Sequence, residues 1–364
     1  MKNALMIIGK GLKNNPSFVE YLKREVEKSI GAVDLTLFID KNDETISADI
    51  KDTIKKYKNI VIAAAEGFEL VGKILSTQTS DSLVHKQNML LPSHVTEIQE
   101  DSYKLNSLNV LRIDTRKKIP KILLEAKKDG SVFLFCGVDD AKRFEKLASV
   151  FEVKSIGVEI INGLWKYNLS SKTEIGVQKL LKDVQEMITP KMLVGDDFVS
   201  IIAHKLIEAN CTITFAESCT GGLISSELTK NSGVSSIFKG SIVTYANEVK
   251  SELVGVKEKT LGKFGAVSEQ TIDEMLNGIG KKFDSDFALA VSGVAGPDGG
   301  SEEKPVGTVY IGVKNRQNVN NIKRLTLFGD RINIQEITMY WAFKLLVESE
   351  GKLFFKFMSK SLDK

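Results

Sequence analysis

The chain has 364 residues, 42% of them hydrophobic and 27% charged, with a formal net charge of +3. This is the composition of a soluble globular protein long enough for two domains. Its lysines are interspersed with acidic residues, so no basic stripe fit for a nucleic-acid backbone forms, and nucleic acid is not an expected partner. No segment approaches the roughly 18 apolar residues of a membrane span, and the apolar run after Lys2 is too short for a signal peptide.

The first half alternates apolar strands with amphipathic helices. Ala4 to Ile8 reads as a buried strand, and Pro16 to Ile30 as a helix with Phe18, Leu22 and Val26 on one face. Strands at Val33–Ile39 and Asn59–Ala65 flank a polar helix around Ala48–Tyr57, and Gly67–Thr77 is a further helix. Later strands are expected at Leu108–Ile113 and Ser131–Phe135, then a helix opening at Asp139 with an aspartate cap. The alternation predicts a mainly parallel sheet covered on both faces.

Thr173 to Ile188 reads as a helix, and Thr189-Pro190-Lys191 breaks the pattern. With no strand signal between about 165 and 195, the expected division is a domain over 1–165, a linker over 166–195 and a second domain over 196–355. In the second half a helix begins near Asp196-Asp197, followed by a strand at 212–216 and a helix after Gly221. Strands near Ser241–Tyr245, Phe287–Val291 and Thr308–Val313, a helix from Ser268 and a last helix from about Ile334 complete it. The fold class is α/β: two domains, each a mixed or mainly parallel sheet flanked by helices.

Four polar, glycine-linked clusters stand at strand ends of the second half, at 216–222, 240–250, 292–300 and 304–309. Ligands of α/β sheets bind where strands end in such loops. In the first cluster, Ala216-Glu217-Ser218-Cys219-Thr220-Gly221-Gly222, a strand breaks at hydroxylated residues and glycines before a helix. That turn can present a nucleophile together with backbone donors for an oxyanion or phosphate; an ordinary capped strand–turn–helix connection fits it too. Cys219 is either a second candidate nucleophile or a small buried filler.

All three histidines, His85, His94 and His204, precede Cys211, so a Ser-His-Asp triad is poorly supported. Lysine is the remaining base for Ser218. Lys250 lies just past a strand ending near Tyr245, whose hydroxyl could relay or orient a proton; a solvated helix lysine and an aromatic at a strand end are the plainer alternatives. Ser292 to Gly300 is nearly free of large side chains, as a wall of backbone donors around a ligand requires. Glu302-Glu303 lacks any accompanying oxygen-rich cluster, so no metal is assigned there. Cys136, Cys211 and Cys219 are too few and too widely spaced for a disulfide framework or a zinc site, which points to a reducing cytoplasm.

The second half closely resembles the C-terminal domain of the CinA (competence/damage-inducible) family. The strings that carry this are TFAESCTGGLIS, FKGSIVTYANEVK, GAVSEQT, SGVAGPDGGSEEKPVGTV and FGDR at 328–331, in the family's order across about 205–345. The resemblance implies a nicotinamide-nucleotide amidohydrolase of pyridine-nucleotide salvage, converting nicotinamide mononucleotide and water to nicotinate mononucleotide and ammonia. It makes Ser218 the nucleophile, Lys250 the base and Tyr245 an assistant. Glu217, Cys219, Thr220, Gly221, Ser241, Ser292, Gly293, Ala295 and Arg331 then become expected substrate contacts, with Arg331 suited to phosphate. Where the family has a second arginine four residues on, this chain has Gln335. No cofactor is implied for the deamidase, and a homodimer or higher homo-oligomer is.

The first half resembles the family's MoCF-like (molybdopterin-binding-like) domain, which is associated with ADP-ribose pyrophosphatase activity. Its loops depart from that pattern, reading Gly9-Lys10-Gly11-Leu12-Lys13-Asn14 and Ala65-Glu66-Gly67-Phe68-Glu69. The expected acidic and glycine–proline–aspartate elements are missing, so the domain reads as a degenerate copy whose divalent metal lacks ligands. Against the enzyme stand two other roles: a nucleotide-binding module that cuts no bond, and a competence-related interaction protein.

Overall fold

The computed structural model describes residues 2–125, 130–171, 174–187 and 191–355. Two compact units divide the chain, Met1–Asp129 and Gly130–Lys364.

The first unit is built on a six-stranded sheet. Leu35–Ile39, Asn3–Ile8, Asn59–Ala64 and Leu108–Arg112 run parallel in that order, and Ser102–Leu105 and Glu97–Gln99 continue it antiparallel. Every residue of Asn3–Ile8 is buried because helices cover both faces of a central parallel strand. Leu5 and Ile7 pack with Phe18, Leu22 and Val26 of helix Pro16–Ile30 on one face. Ala4, Met6 and Ile8 pack with Ile50, Phe68 and Val71 on the other. That helix has the bounds its pattern predicts, since Asn15 accepts a bond from the Phe18 amide, Pro16 opens the first turn and Gly31 ends it at φ 80°.

In the second unit, Gly130–Leu134, Val153–Ile161, Leu164–Ser171 and Met192–Val194 form an antiparallel sheet. With helices Val138–Val150 and Glu174–Met187 between them, the chain order is β-α-β-β-α-β, a split βαβ arrangement. This corrects the boundary expected at 165, which falls inside a strand; the described residues of the supposed linker include the rest of that strand, helix Glu174–Met187 and strand Met192–Val194. Leu164–Ser171 alternates buried Tyr167 and Leu169 with polar neighbours, and Val153–Ile161 is largely exposed, so neither offers the apolar run used to recognise strands elsewhere. Phe133, Ile161, Leu164 and Leu193 share one core with Phe198, Ile202 and Leu206, which joins this sheet to helix Phe198–Glu208. Helix Val138–Val150 also lacks the expected aspartate cap: Gly137 is its N-cap, and Asp139 and Asp140 lie in the first turn.

The remaining sheet has the order Phe238–Val243, Ile213–Glu217, Phe287–Gly293, Thr308–Lys314, Asn320–Thr326. The first three strands are parallel and the last two antiparallel. Helices Phe198–Glu208 and Arg331–Ser349 share the core on one face, and helix Glu269–Phe283 covers the other. The α/β class with mixed, helix-flanked sheets therefore holds. From Ile213–Glu217 the chain passes first to the strand on one side and later to the strand on the other. Such a divergence opens a crevice beyond the carboxyl ends of the strands. Among the described residues, no helix is long and apolar enough to cross a membrane.

Candidate active site

Three parallel strands end together at Glu217, Val243 and Gly293, and the site grows from those ends. Ser218 extends the central strand by one more ladder bond, its amide donating to the Val291 carbonyl at 3.0 Å. On the other side the Thr244 amide donates to the Glu217 carbonyl at 2.7 Å. That bond fixes the start of the turn leading into helix Asn247–Val254, which carries Lys250 in its first turn.

Lys250 is 1% exposed. Its Nζ donates to the Thr244 carbonyl at 2.7 Å, the Tyr245 carbonyl at 3.1 Å and Ser218 Oγ at 3.2 Å. Burial pulls its pKa below the ordinary lysine value, against the opposing fields of Cys219 and Glu248. A neutral amine has two N–H donors and one lone pair. With both donors on the carbonyls, the lone pair faces the serine hydroxyl, the arrangement of a general base beside its nucleophile.

The Cys219 thiol is buried and pushed up to about 12 by desolvation, so it stays protonated beside the serine. Cys219 thus packs as a buried side chain within the turn.

Glu217, expected to touch substrate, is instead wholly buried and committed to the protein. Its carboxylate accepts from the amides of Gly222 at 3.2 Å, Ile224 at 2.9 Å and Ser225 at 2.9 Å, and from the hydroxyls of Thr220 and Ser225. It serves as a buried N-terminal cap of helix Leu223–Thr229, with charge and dipole in the favourable sense. Gly221 and Gly222, at φ 61° and 102°, let the backbone wrap that carboxylate. Glu217→Gln removes one of the two acceptor oxygens and should cost about 2 kcal/mol or more of stability. Thermal unfolding followed by circular dichroism should show a midpoint lower by several degrees; an unchanged midpoint would remove the capping role.

The other expected contacts divide. Thr220 spends its hydroxyl on Glu217, and Gly221 donates its amide to the Ser218 carbonyl at 3.1 Å. Ser241 Oγ bonds Ser225 Oγ at 2.6 Å and belongs to the Glu217 network. Ser292 Oγ donates to the Ala266 carbonyl at 2.8 Å. The hydroxyls of Thr220, Ser241 and Ser292 are bonded within the protein and hold the loops in place. Gly293 has a packing reason, because a Cβ there would stand 2.6 Å from Val309 Cγ2. Ala295 is buried beside Gly296, whose carbonyl accepts from Arg331 Nη1 at 2.6 Å. Arg331 Nη2 donates to the Tyr245 hydroxyl at 2.7 Å. Tyr245 thus meets Lys250 through its backbone carbonyl, while its phenol reaches outward and accepts from Arg331.

Two contributors were not read as such from sequence. Thr244 acts through a carbonyl, which carries no side-chain signature. Gln335 donates to the Cys219 carbonyl at 2.8 Å; its spacing of four from Arg331, one helical turn, was the available signal.

In the first unit, the described residues do not fit a divalent metal. Lys10 pairs with Asp40 at 2.6 Å, Lys41 with Glu66 at 2.9 Å, and Arg112 with Asp101 at 3.5 Å and Glu69 at 3.8 Å. Asp43 accepts from the Thr45 amide and hydroxyl. Among the described residues no group of three or more histidine, cysteine, aspartate or glutamate side chains could hold a metal ion. A cavity of ≈ 690 Å³ does open beyond the strand ends, lined by Asn15, Glu66, Asp101, Arg112, Asp114 and Arg116 among others. Since basic partners occupy the carboxylates that would hold a cation, ADP-ribose with magnesium, manganese or cobalt should give no phosphate-ester product. Metal-dependent turnover that an Asp43→Ala substitution abolishes would contradict this.

The CinA C-terminal domain family model matches residues 196–349. A CinA-like protein of Prochlorococcus marinus (strain MIT 9215) is 39% identical over 217 residues, which are 56% of this chain and 51% of that protein. One from Fervidobacterium nodosum is 51% identical over 146 residues, 40% of this chain and 36% of the relative. The chain thus spans about half the length, or less, of these curated relatives. The solved structure of competence/damage inducible protein CihA from Agrobacterium tumefaciens is 36% identical, covering 42% of this chain and 96% of that one, at a TM-score of 0.40. All five motif strings fall within the matched segment, so it is residues 196–349 of this chain that are similar to the CinA C-terminal domain.

Proposed function

We propose that the second unit is a nicotinamide-nucleotide amidohydrolase that hydrolyses the carboxamide of nicotinamide mononucleotide. The observation that carries this is the buried Lys250 Nζ, 3.2 Å from Ser218 Oγ and tied to two carbonyls. A pure binding module has no need of a desolvated lysine beside a serine.

In the first step Ser218 Oγ bonds the carboxamide carbon while its proton passes to Lys250. The carbon–nitrogen bond then breaks, and the lysine returns the proton to the leaving nitrogen as ammonia. Water attacks the acyl-enzyme and yields its proton to Lys250; the carbon–Oγ bond breaks, and that proton restores the serine hydroxyl. The products are nicotinate mononucleotide and ammonia, with no cofactor consumed. Arg331, exposed between Tyr245 and Gly296, is the candidate for the substrate phosphate, since its guanidinium keeps donors beyond the two it uses.

The direct test is ammonia release from nicotinamide mononucleotide by the purified chain, quantified against nicotinate mononucleotide. Equal amounts of both products are expected. Tight binding of the nucleotide without ammonia would favour the binding-module role, and neither binding nor turnover would remove the substrate assignment.

A further inference from the structure

Gln335 lies 116 positions from Cys219 in sequence, yet its Nε2 donates to the Cys219 carbonyl at 2.8 Å. It projects from the first turns of helix Arg331–Ser349, one turn beyond Arg331, and Asp330 fixes that helix start by accepting from the Asn333 amide. One helix face therefore holds three separate pieces of the site. Arg331 takes the Tyr245 hydroxyl and the Gly296 carbonyl, and Gln335 takes the peptide after the nucleophile.

The consequence lies in the geometry of a trans peptide, whose C=O and following N–H point in opposite directions. Anchoring the Cys219 carbonyl on Gln335 turns the Thr220 N–H the other way. Of the neighbouring donors, Gly221 N–H is used on the Ser218 carbonyl and Gly222 N–H on Glu217, which leaves the Cys219 and Thr220 amides, and Gln335 fixes the second of these. Among the described residues no acceptor pairs with the Thr220 N–H. A free amide two residues past a serine nucleophile, held in one direction, is what an acyl-transfer site uses to stabilise a developing oxyanion.

We infer that Gln335 is a positioning residue for the oxyanion donor: by clamping the Cys219–Thr220 peptide it aims the Thr220 amide at the charge that forms during attack by Ser218. The inference rests on Ser218 being the nucleophile. It separates Gln335 from a substrate contact, although Gln335 also borders a cavity of ≈ 370 Å³ with Thr220, Gly221 and Ile332. A clamp on the oxyanion donor acts on kcat, whereas a contact to bound substrate acts on KM.

The experiment compares Gln335→Leu, which has no donor, and Gln335→Glu, which opposes the carbonyl with a carboxylate, with Gln335→Arg, which restores planar N–H donors. In ammonia release, Leu and Glu should lower kcat about 10- to 100-fold, with KM changed less than about threefold, and Arg should recover most of the loss. Thermal unfolding of each variant is measured alongside, and a kcat loss without a matching fall in midpoint is expected. An unchanged kcat in Gln335→Leu, a raised KM at constant kcat, or an Arg variant as slow as Leu would each overturn the inference. Sulfonylation of Ser218 by phenylmethylsulfonyl fluoride is followed on the same set, because it does not depend on the amide substrate. If the wild type releases no ammonia, the substrate assignment fails by itself. The labelling rates then decide the clamp: slowing in Leu and Glu with recovery in Arg supports it, and equal rates overturn it.

Discussion

Ser218→Ala is expected to lower ammonia release from nicotinamide mononucleotide by about 10⁴-fold or more, the scale on which losing a serine nucleophile acts. Its unfolding midpoint should stay close to that of the wild type. Among the described residues the hydroxyl is bonded only to Lys250 Nζ, which keeps the Thr244 and Tyr245 carbonyls when the hydroxyl is gone. The backbone bond from Ser218 to Val291 does not depend on the side chain. Cys219 cannot substitute. With its thiol pushed up to about 12 by burial, it is held near pH 7 as the unreactive thiol. A Ser218→Ala protein that keeps activity within tenfold of the wild type would end the nucleophile assignment, and loss of that remaining activity on adding Cys219→Ala would move it to the thiol.

The legibility of this site in sequence follows the kind of atom involved. The pairing of Ser218 with Lys250 was readable because both side chains sit near strand ends punctuated by glycine, and the structure brings them to 3.2 Å. Glu217 was misread because a carboxylate beside a nucleophile looks like a site group, and only tertiary structure shows its two oxygens filled by the amides of Gly222, Ile224 and Ser225. For Tyr245 the place at the strand end was visible, but it is the carbonyl, not the phenol, that meets the lysine. The same contrast holds for the fold. Asn3–Ile8 and Pro16–Ile30 announce themselves by a continuous apolar run and a 3.6-residue period. Leu164–Ser171 and Met192–Val194 were missed because one is half polar and the other has three residues, and Met192–Val194 owes its existence to a partner far along the chain, Gly130–Leu134.

Lys250 gives the second large effect, and its sign can be worked out. To accept the serine proton the lysine must be neutral, and burial lowers its pKa from the ordinary value. Activity therefore needs the deprotonated form: kcat/KM should fall tenfold per pH unit below the lowered value and level off above it. Lys250→Arg retains a cation that does not deprotonate in proteins and should be down about 10²-fold or more at every pH between about 6 and 10, with no alkaline recovery. Stability carries the same proton count. Between the lowered folded value and the ordinary unfolded value of 10.5, the unfolded chain binds more protons than the folded one, so folding stability gains as pH rises through that window. In Lys250→Met this contribution disappears. Urea unfolding of wild type and Lys250→Met at two pH values inside the window should show the difference shifting in favour of the wild type at the higher one. An arginine variant with wild-type turnover would make Lys250 a charge that binds substrate rather than a base. A kcat/KM flat from about pH 6 to 10, with no pH-dependent stability difference, would place the lysine outside proton transfer altogether.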